Sequence, residues 1–455
     1  MLLQAMAFHY SITTIKPYTF TQRLAERVAV RASSPAAMRA VLLTVALAMC
    51  SSCATVIAAQ TEIDCTLPHT DTRIQACSIV KRASDFNGCL QASDITKHTC
   101  VIMDSDVAFC DAQQSINFTA MFDRSNKTLD CKGGVIDHGW SDKSAQGITP
   151  TSRAKQMPFV RFNDDRSLSD ISVKNCTMRG TFHAGIQMTR FFGGELGGDG
   201  KLDETEDLPV GHNDILFEDI NIEGTQVGIY LGNFSENIEM NRVHIDGTER
   251  IAVYSEAGSN NIRLTNSTIS NNRTREAIAI DSTYNSEISN TRFLNNREGA
   301  INVYQNCGEL KGSVCPVVRS TPSNGNRITG NTFINNGITG IQIASRQGRN
   351  HAFGWCATLN GLPGQFTDES INNVVEDNTI HCSEGTALVL MDGPNLVQNN
   401  TIVAKEHCVP IEISTGGFGK SKSHLLDGLE VQGNTINSIR PPRLRNVSDK
   451  VTFEQ

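Results

Sequence analysis

The chain has 455 residues, of which 39% are hydrophobic and 19% are charged, and its formal net charge is −8. This composition is typical of a globular protein, and the single long apolar run near the N-terminus excludes a protein with several membrane spans. Nucleic-acid binding needs a clustered excess of lysine and arginine, so no nucleic-acid partner is expected for this acidic chain.

The N-terminal region is typical of an export signal. After Met38 come a basic residue, an apolar stretch from Val41 to Met49 and small residues that end in a predicted cleavage site near Ala59–Gln60. The apolar stretch is shorter than the roughly 20 residues that a membrane-spanning helix needs, so no stable membrane insertion is expected. The sequence therefore predicts a secreted or periplasmic protein.

The segment 1–59 is interpreted as this signal peptide together with an upstream extension. Translation can start at Met1 or at Met38, and both readings stay open. A lipoprotein reading through Cys50 also stays open, although Met49 is bulky where a small residue is expected.

The cysteines predict disulfide bonds. Removal of Cys50 and Cys53 with the signal leaves 12 of the 14 cysteines, an even number that suits an oxidising compartment. Their spacing is too wide for a zinc site of the Cys-x-x-Cys kind, so residues 60–128 are predicted to form a disulfide-stapled N-terminal cap. Cys307 and Cys315 flank a short loop and can pair with each other. The six cysteines expected to pair mainly among themselves are Cys65, Cys77, Cys89, Cys100, Cys110 and Cys131.

A repeated pattern begins at Asn213. The corner Asn237-Ile238 recurs as Asn261-Ile262, 24 residues later, and then at further positions with two long insertions. Asparagine tolerates left-handed backbone angles, and its amide can bond to its counterpart on the next coil, so stacked asparagine ladders are predicted. The asparagines expected at one equivalent turn are Asn266, Asn290, Asn331, Asn378, Asn400 and Asn434.

Each repeat also contains a short alternating strand. A period of two sends its aliphatic residues inward, as in the pairs Ile251/Val253, Ile278/Ile280 and Ile301/Val303. Units of about twenty residues with three short strands predict an all-β fold, a right-handed parallel β-helix (solenoid) with loop insertions, over residues 129–440, followed by a tail at 441–455. A leucine-rich repeat would need a fixed leucine frame with a helical segment, which is absent. The outward residues are predicted to be Tyr230, Ala252, Ala279, Asn302, Gln342, Val389 and Glu412.

These coils carry a family resemblance. From about Asn213 to Ile436, and more loosely from Leu129, they resemble the right-handed β-helix region of secreted polysaccharide lyases, alginate-type C5-epimerases and periplasmic carbohydrate-binding β-helix proteins. The resemblance implies the architecture and a polysaccharide as substrate or partner. The sequence lacks the Asp-Pro-His-Asp motif of the alginate epimerases and the Asn-Thr-Asp and Gly-His-Gly motifs of polygalacturonase-type hydrolases, so no family activity is transferred.

One outward column is predicted to carry the site. The position after each inner pair reads Gly232, Tyr254, Asp281, Tyr304, Ala344 and Met391. Aromatic rings, acids and arginines together are the groups that recognise sugars. Candidate catalytic residues are Asp281, Tyr304, Tyr254, Glu256, Glu276 and His351. Candidate substrate-binding residues are Arg275, Asn306, Glu309, Arg319, Arg346, Arg349 and Asn350.

The sequence is compatible with three functions. In a lyase or C5-epimerase, Arg346 or Arg349 would neutralise a uronate carboxylate while Tyr254, Tyr304 or His351 exchanged the C5 proton. In a glycoside hydrolase, which the abundance of acids favours, two carboxyl groups would act as acid and base or nucleophile. The candidates are Asp281, Glu256, Glu276 and Glu309. A third reading is a non-catalytic glycan-binding β-helix. The Tyr–Arg–His combination favours proton abstraction.

No cofactor or metal is predicted. The acidic, glycine-rich insertion at residues 193–207 is the one candidate for Ca²⁺, but it lacks the spaced Asp/Asn frame of known calcium loops, so a solvated loop is the preferred reading. His183 and His212 flank the insertion without making a metal site. The sequence does not indicate an oligomeric state.

Overall fold

The structure is a computed structural model. It describes residues 77, 79–96, 99–139, 157–163, 166–181, 183–188, 211–232, 234–256, 258–305, 321–344, 370–415 and 420–454. All of them belong to one compact unit, which spans residues 65–455. The predicted signal segment, the 193–207 insertion and the Cys307/Cys315 loop lie outside the described residues.

The described residues form β-strands and three short 3-10 helices, at Ala83–Asp85, Ala92–Asp94 and Lys420–Leu426. The first strands in chain order are β1 (Ile79–Arg82), β2 (Thr99–Ile102), β3 (Val107–Ala108), β4 (Ser115–Ile116), β5 (Phe118–Phe122), β6 (Lys127–Asp130), β7 (Val135–Asp137), β8 (Val160–Phe162), β9 (Ser169–Arg179) and β10 (Ala184–Gln187). They are followed by β11 (Asn213–Glu223), β12 (Val227–Gly232), β13 (Glu236–Asp246), β14 (Ile251–Glu256), β15 (Asn260–Thr265), β16 (Thr268–Ser270), β17 (Ile278–Asp281), β18 (Glu287–Ser289), β19 (Arg292–Leu294) and β20 (Ile301–Tyr304). The last are β21 (Arg327–Thr329), β22 (Thr332–Ile334), β23 (Thr339–Ile343), β24 (Val374–Glu376), β25 (Thr379–Leu390), β26 (Leu396–Gln398), β27 (Thr401–Ser414), β28 (Glu430–Gln432), β29 (Thr435–Ser438), β30 (Arg443–Arg445) and β31 (Thr452–Phe453).

The strands stack in three parallel ladders, one for each side of the coil. Every pairing among the named strands is parallel, which is the topology of a parallel β-helix and confirms the predicted all-β solenoid. Ladder A is β1–β2–β5–β8–β10–β12–β14–β17–β20–β23–β25–β27–β30. Ladder B is β3–β6–β9–β11–β13–β15–β18–β21–β24–β26–β28–β31. Ladder C is β4–β7–β9–β11–β13–β16–β19–β22–β25–β27–β29.

The parallel pairing begins earlier than the sequence pattern indicated. Strand β1 starts at Ile79 and pairs with β2, whereas the repeat pattern placed the first coil near Leu129. Part of the cysteine-rich segment therefore contributes coils of its own, since β2 in turn pairs with β5. The division between cap and β-helix at residue 128 remains a prediction.

The interior of the coils is filled by the aliphatic residues of the alternating strands. The predicted pairs Ile278/Ile280 and Ile301/Val303 lie in the main core and are in register on neighbouring coils. Parallel stacking places such residues about 4.8 Å apart, so the core continues from coil to coil.

Strand β14 departs from the predicted alternation. Val253, not Ile251, pairs with Ile278, and the amides of Ala252 and Val253 both donate to the carbonyl of Ala277. Two residues that oppose one are a β-bulge, which re-aims the side chains around it. The prediction of Ile251 as an inward residue and Ala252 as an outward one is therefore wrong, because Ala252 lies in the main core and Ile251 lies in a separate cluster.

Buried asparagines form the predicted ladders. The amide of Asn331 donates to Asn378 at 3.0 Å, and Asn378 donates to Asn400, which donates to Asn434, each at 2.9 Å. The run does not extend to Asn290, because Thr291 occupies the equivalent position and its backbone amide donates to Asn331 Oδ1 at 2.9 Å. Asn266 and Asn290 instead adopt positive φ angles of 52° and 50°.

Disulfides link successive coils. Two of them, Cys77–Cys100 and Cys89–Cys110, join members of the predicted N-terminal group. Cys131 departs from that grouping because it bonds to Cys176 on the next coil of ladder B. A fourth bond joins Cys382 and Cys408 between β25 and β27.

Candidate functional site

The candidate site lies on the side of ladder A that faces away from the main core. Asp281 and Tyr304 are in register on β17 and β20, as the sequence pattern predicts. On β14 the residue in register with Asp281 is Glu256, whereas Tyr254 pairs with Ala279. The predicted column Tyr254–Asp281–Tyr304 is therefore corrected to Glu256–Asp281–Tyr304. Tyr254 keeps the same face because the shift is two residues.

Two tyrosine–carboxylate pairs repeat along the axis. Tyr230 donates a hydrogen bond to Glu256, and Tyr254 donates one of 3.1 Å to Asp281 Oδ2. In both pairs the phenol belongs to one coil and the acid lies two positions further along the strand of the next coil. Glu256 and Asp281 are 2% and 0% exposed, so both acids are shielded from water.

Tyr304 makes a third pair in the opposite direction. Its phenol donates to Glu276 Oε1 at 3.2 Å, on the preceding coil. The same oxygen accepts a hydrogen bond of 3.0 Å from Arg275 Nη2, and the Arg275 side chain is 30% exposed. Hydrogen bonds to an ionised partner are about twice as strong as neutral ones. Glu276 therefore fixes the positions of both Tyr304 and Arg275.

The ring of Tyr254 is held between two small apolar clusters outside the main core. One cluster contains Ala184, Val227 and Tyr230, and the other contains Ile251, Ala279 and Tyr304. The rings of Tyr230 and Tyr254 meet edge to face, with centroids 5.6 Å apart. Tyr254 is only half-buried, whereas Tyr230 and Tyr304 are buried. Among the three phenols, that of Tyr254 therefore belongs to the most exposed residue.

Polar residues continue the Tyr254 register along ladder A. Gln187 pairs with Tyr230 on one side and with Arg161 on the other. Beyond Ala279 the register continues through Asn302 to Gln342. Most of these positions are buried. Only Tyr254 and Asn302 are partly exposed, so these two are the positions of the register that an extended chain can contact.

Several predicted residues lie outside the described part of the chain. They are Asn306, Glu309, Arg319, Arg346, Arg349, Asn350 and His351. Their place in the site remains a prediction.

The two histidines near the acidic insertion have structural contacts. His212 is buried, packs its ring on Phe162 at 5.2 Å and accepts a hydrogen bond from the amide of Leu168 at Nδ1. His183 Nδ1 accepts from the amide of Ala184. Within the described ranges, no group of three or more His, Cys, Asp or Glu residues is arranged to hold a metal ion.

The sequence pattern did not place Tyr230 in the site. It identified Tyr230 as outward-facing but assigned Gly232 to the site column of that coil. The pairing between β12 and β14 is irregular between Tyr230 and Gly232, so simple alternation fails there. The spacing Tyr-x-Glu occurs only at Tyr254 and Glu256 among these strand ends, so no repeated sequence signal indicated the contact of Tyr230.

One comparison with known proteins, a family model, agrees with the architecture. A family model described as "Right handed beta helix region" matches residues 210–353 and 317–436. Among solved structures, the chain is similar to the periplasmic alginate epimerase AlgG, with 11% identity over 79% of this chain and 76% of that chain and a TM-score of 0.38. It is also similar to an alginate lyase from Paenibacillus sp. str. FPU-7 (12% identity, 83% and 100% coverage, TM-score 0.35) and to PfbA, a surface adhesin of Streptococcus pneumoniae (12%, 70% and 81%, 0.34).

A search of curated proteins finds no match. The family match and the three parallel ladders together identify a right-handed parallel β-helix protein, as the sequence pattern predicted. Similarity to solved structures at this level assigns no activity. No helix among the described residues is long and apolar enough to cross a membrane.

Proposed function

We propose that this protein is an exported polysaccharide-processing enzyme, a lyase or C5-epimerase that abstracts a proton from a uronate-containing polymer. The observation that carries the proposal is the 3.1 Å hydrogen bond from the half-buried Tyr254 to the fully buried Asp281. A phenol backed by a carboxylate can exchange a proton with a substrate on its open side. The disulfides support export, because such bonds persist in oxidising compartments.

Burial assigns different roles to the two members of this pair. Tyr254 meets the substrate, and Asp281 is reached only through it. As Tyr254 Oη accepts the C5 proton, its own proton passes to Asp281, so the phenol stays neutral and the carboxylate becomes protonated. The C5–H bonding electrons then form the C4=C5 double bond as the C4–O bond breaks. The proton held by Asp281 returns through Tyr254 to the departing oxygen, which resets the pair.

Epimerisation differs only after the first step. The C4–O bond stays intact, and a second group delivers a proton to the opposite face of C5. This route needs a donor across the sugar from Tyr254. The distribution of products therefore separates the two reactions.

Proton abstraction next to a carboxylate requires that its charge be neutralised. Arg275 supplies a guanidinium that is partly exposed and is held by Glu276. Its Nε and Nη2 groups already donate to Glu276, so the positive charge of Arg275, rather than a two-bond fork, would stabilise the extra negative charge that develops during proton removal. Arg319, Arg346 and Arg349 are further candidates for this role.

The density of buried acids favours hydrolysis as a second candidate. Glu256, Glu276 and Asp281 all lie within the cluster and are almost completely buried. Two carboxyl groups suffice for glycoside hydrolysis, one as acid and the other as base or nucleophile. Glu256 and Asp281 are direct register partners, but both are buried, so hydrolysis would require this part of the sheet to open to the substrate.

A parallel product assay tests the proposal. The purified protein is incubated with a panel of acidic and neutral polysaccharides while unsaturated uronates, new reducing ends and exchange of solvent deuterium into C5 are recorded. Unsaturated ends, or deuterium without cleavage, are expected on a uronate polymer and should disappear in Tyr254→Phe. Saturated reducing ends alone would instead favour hydrolysis. Binding without any product would contradict the enzymatic reading.

A further inference from the structure

The three tyrosines of the candidate site do not all donate their hydrogen bonds in the same direction along the β-helix. Tyr230 and Tyr254 each donate to an acid on the following coil. Tyr304 donates to Glu276, which belongs to the preceding coil, although the register partner of Tyr304 on that coil is Asp281. A local feature must direct the Tyr304 phenol away from the acid that is its register partner.

The small side chain of Ala279 allows the Tyr304 side chain to point toward Glu276. Ala279 precedes Asp281 by two positions and points to the same side of the sheet. To reach Glu276, three residues further back, the ring of Tyr304 must extend along the strand across Ala279. Ala279 is 0% exposed and belongs to the apolar cluster that contains Tyr304 and Ile251. A methyl group leaves room for this ring, and a larger side chain would occupy its place.

We propose that Ala279 is a positioning residue that determines to which carboxylate each of the two phenols, Tyr254 and Tyr304, donates its hydrogen bond. By admitting the ring of Tyr304, it directs that phenol to Glu276 and leaves the hydrogen bond to Asp281 Oδ2 to Tyr254. Glu276 is then held between Tyr304 and Arg275, so the same contact also sets the direction of the Arg275 guanidinium. The catalytic part of this inference rests on the proposed function, whereas the structural part does not.

Tyrosine labelled with ¹³C at Cζ gives a readout that needs no substrate. The chain has six tyrosines, so signals are assigned by single Tyr→Phe variants. In Ala279→Val the signal of Tyr304 should move, because its phenol loses Glu276, and the signal of Tyr230 should stay. Ala279→Gly, which keeps the space open, should leave both in place. Ala300→Val is the matched control, since Ala300 is equally buried but lies in the main core.

An unchanged Tyr304 signal in Ala279→Val would overturn the proposal. If that variant does not fold, Ala279→Ser serves in its place, and the same shift in a smaller amount is expected. The shift should also vanish when Tyr304→Phe is combined with Ala279→Val, because the phenol that reports it is gone. A change in Tyr230 as large as that in Tyr304 would indicate general distortion and would count against a specific role.

Turnover tests the catalytic part. On the polymer that the protein processes, Ala279→Val should lower kcat by about tenfold to 100-fold with a smaller change in KM, since small misplacement of a reacting group has effects of this size. Ala300→Val should keep kcat near the wild-type value at a temperature where it is folded. A moved Tyr304 signal with full turnover would refute the catalytic role. A protein that processes no polymer would refute the proposed function while the spectroscopic result still decided the structural part.

Discussion

Tyr254 donates its hydrogen bond to Asp281 Oδ2 across 3.1 Å, although its backbone partner on the neighbouring coil is Ala279. The contact is therefore diagonal, over two positions of the strand. Diagonal neighbours on a sheet remain within reach of aromatic side chains. The β-bulge in β14 brings Glu256 into line with Asp281 and places Tyr254 where this diagonal reach is needed.

Removal of the Tyr254 hydroxyl isolates the role of this hydrogen bond. Tyr254→Phe keeps the ring between its two apolar clusters, so we expect a stability loss of about 1–3 kcal/mol, because the buried Asp281 carboxylate loses this donor. Turnover should fall by about 100-fold or more, as is usual when a general acid or base is removed. Tyr284→Phe, at a half-buried tyrosine on a corner, is the control. Steady-state kinetics beside thermal unfolding checks both; equal turnover losses in the two variants would contradict the assignment.

Because Asp281 and Tyr304 are buried, substitutions at these residues should lower the free energy of unfolding more than substitutions at exposed positions. Residues on the outer side of a solenoid would be expected to change stability by less than about 0.5 kcal/mol. Asp281 and Tyr304 are instead 0% and 2% exposed, so an unsatisfied group left behind should cost about 1–3 kcal/mol. Urea unfolding of Asp281→Asn and Tyr304→Phe measures this. Losses below about 0.5 kcal/mol in both would show that the cluster is open to water.

The asparagine ladder should be a main determinant of stability. Asn378 lies between Asn331 and Asn400, and its amide also donates to the carbonyl of Ile328 at 2.8 Å. Asn378→Ala leaves several buried groups without partners, at about 1–3 kcal/mol for each. The neighbouring positive-φ residue Asn399, which is exposed, gives the control Asn399→Gly, where little change is expected. Similar unfolding midpoints for the two variants would contradict the ladder's importance.

The Cys382–Cys408 bond should stabilise the coils that follow the site. It closes a loop with a sequence separation of 26, for which chain entropy gives about 3–4 kcal/mol. The double variant Cys382→Ser/Cys408→Ser should therefore unfold at lower denaturant concentration than the wild type. Under reducing conditions the wild type and the double variant should unfold at similar denaturant concentrations. A double variant as stable as the oxidised wild type would show that the bond contributes nothing.

The pKa of Asp219 predicts an acid-side effect on stability. The hydrogen bond from Arg242 lowers the pKa of this carboxyl below its ordinary value, with smaller help from the charges of Arg242 and His244. A lowered folded-state pKa stabilises the fold above the unfolded value of about 3.9, and this stabilisation is lost as the pH falls through the folded value. Arg242→Gln should thus be less stable than wild type at neutral pH and approach it near pH 2. A difference independent of pH would contradict this linkage.

The coil architecture was predictable because its signals are local and repeated. The alternating pairs Ile278/Ile280 and Ile301/Val303 and the asparagines from Asn331 to Asn434 recur once in each coil, although insertions change their spacing along the sequence. Coil-to-coil pairing within the cysteine-rich segment was not predictable from that pattern. Strands β1 and β2 lack the asparagine corner, and their pairing only becomes evident from the ladder.

The site was predictable only in part. The outward orientation of Tyr254, Asp281 and Tyr304 follows from a period of two. The register of β14, however, depends on a bulge between Ile251 and Val253 that no residue type in the sequence indicates. A separate irregularity, between Tyr230 and Gly232, concealed the hydrogen bond of Tyr230 to Glu256. The direction of the Tyr304 phenol depends on the size of Ala279, a contact between coils that is invisible along the sequence.

The most direct test of the central claim is the exchange of solvent deuterium into C5 of a uronate polymer, with unsaturated ends recorded in the same reaction, for wild type and Asp281→Asn. We expect exchange or unsaturation with the wild type and a loss of about 100-fold or more in the variant, because the proton passed on by Tyr254 then has no carboxylate to receive it. Equal rates in the two proteins, or saturated reducing ends without exchange, would contradict the central claim.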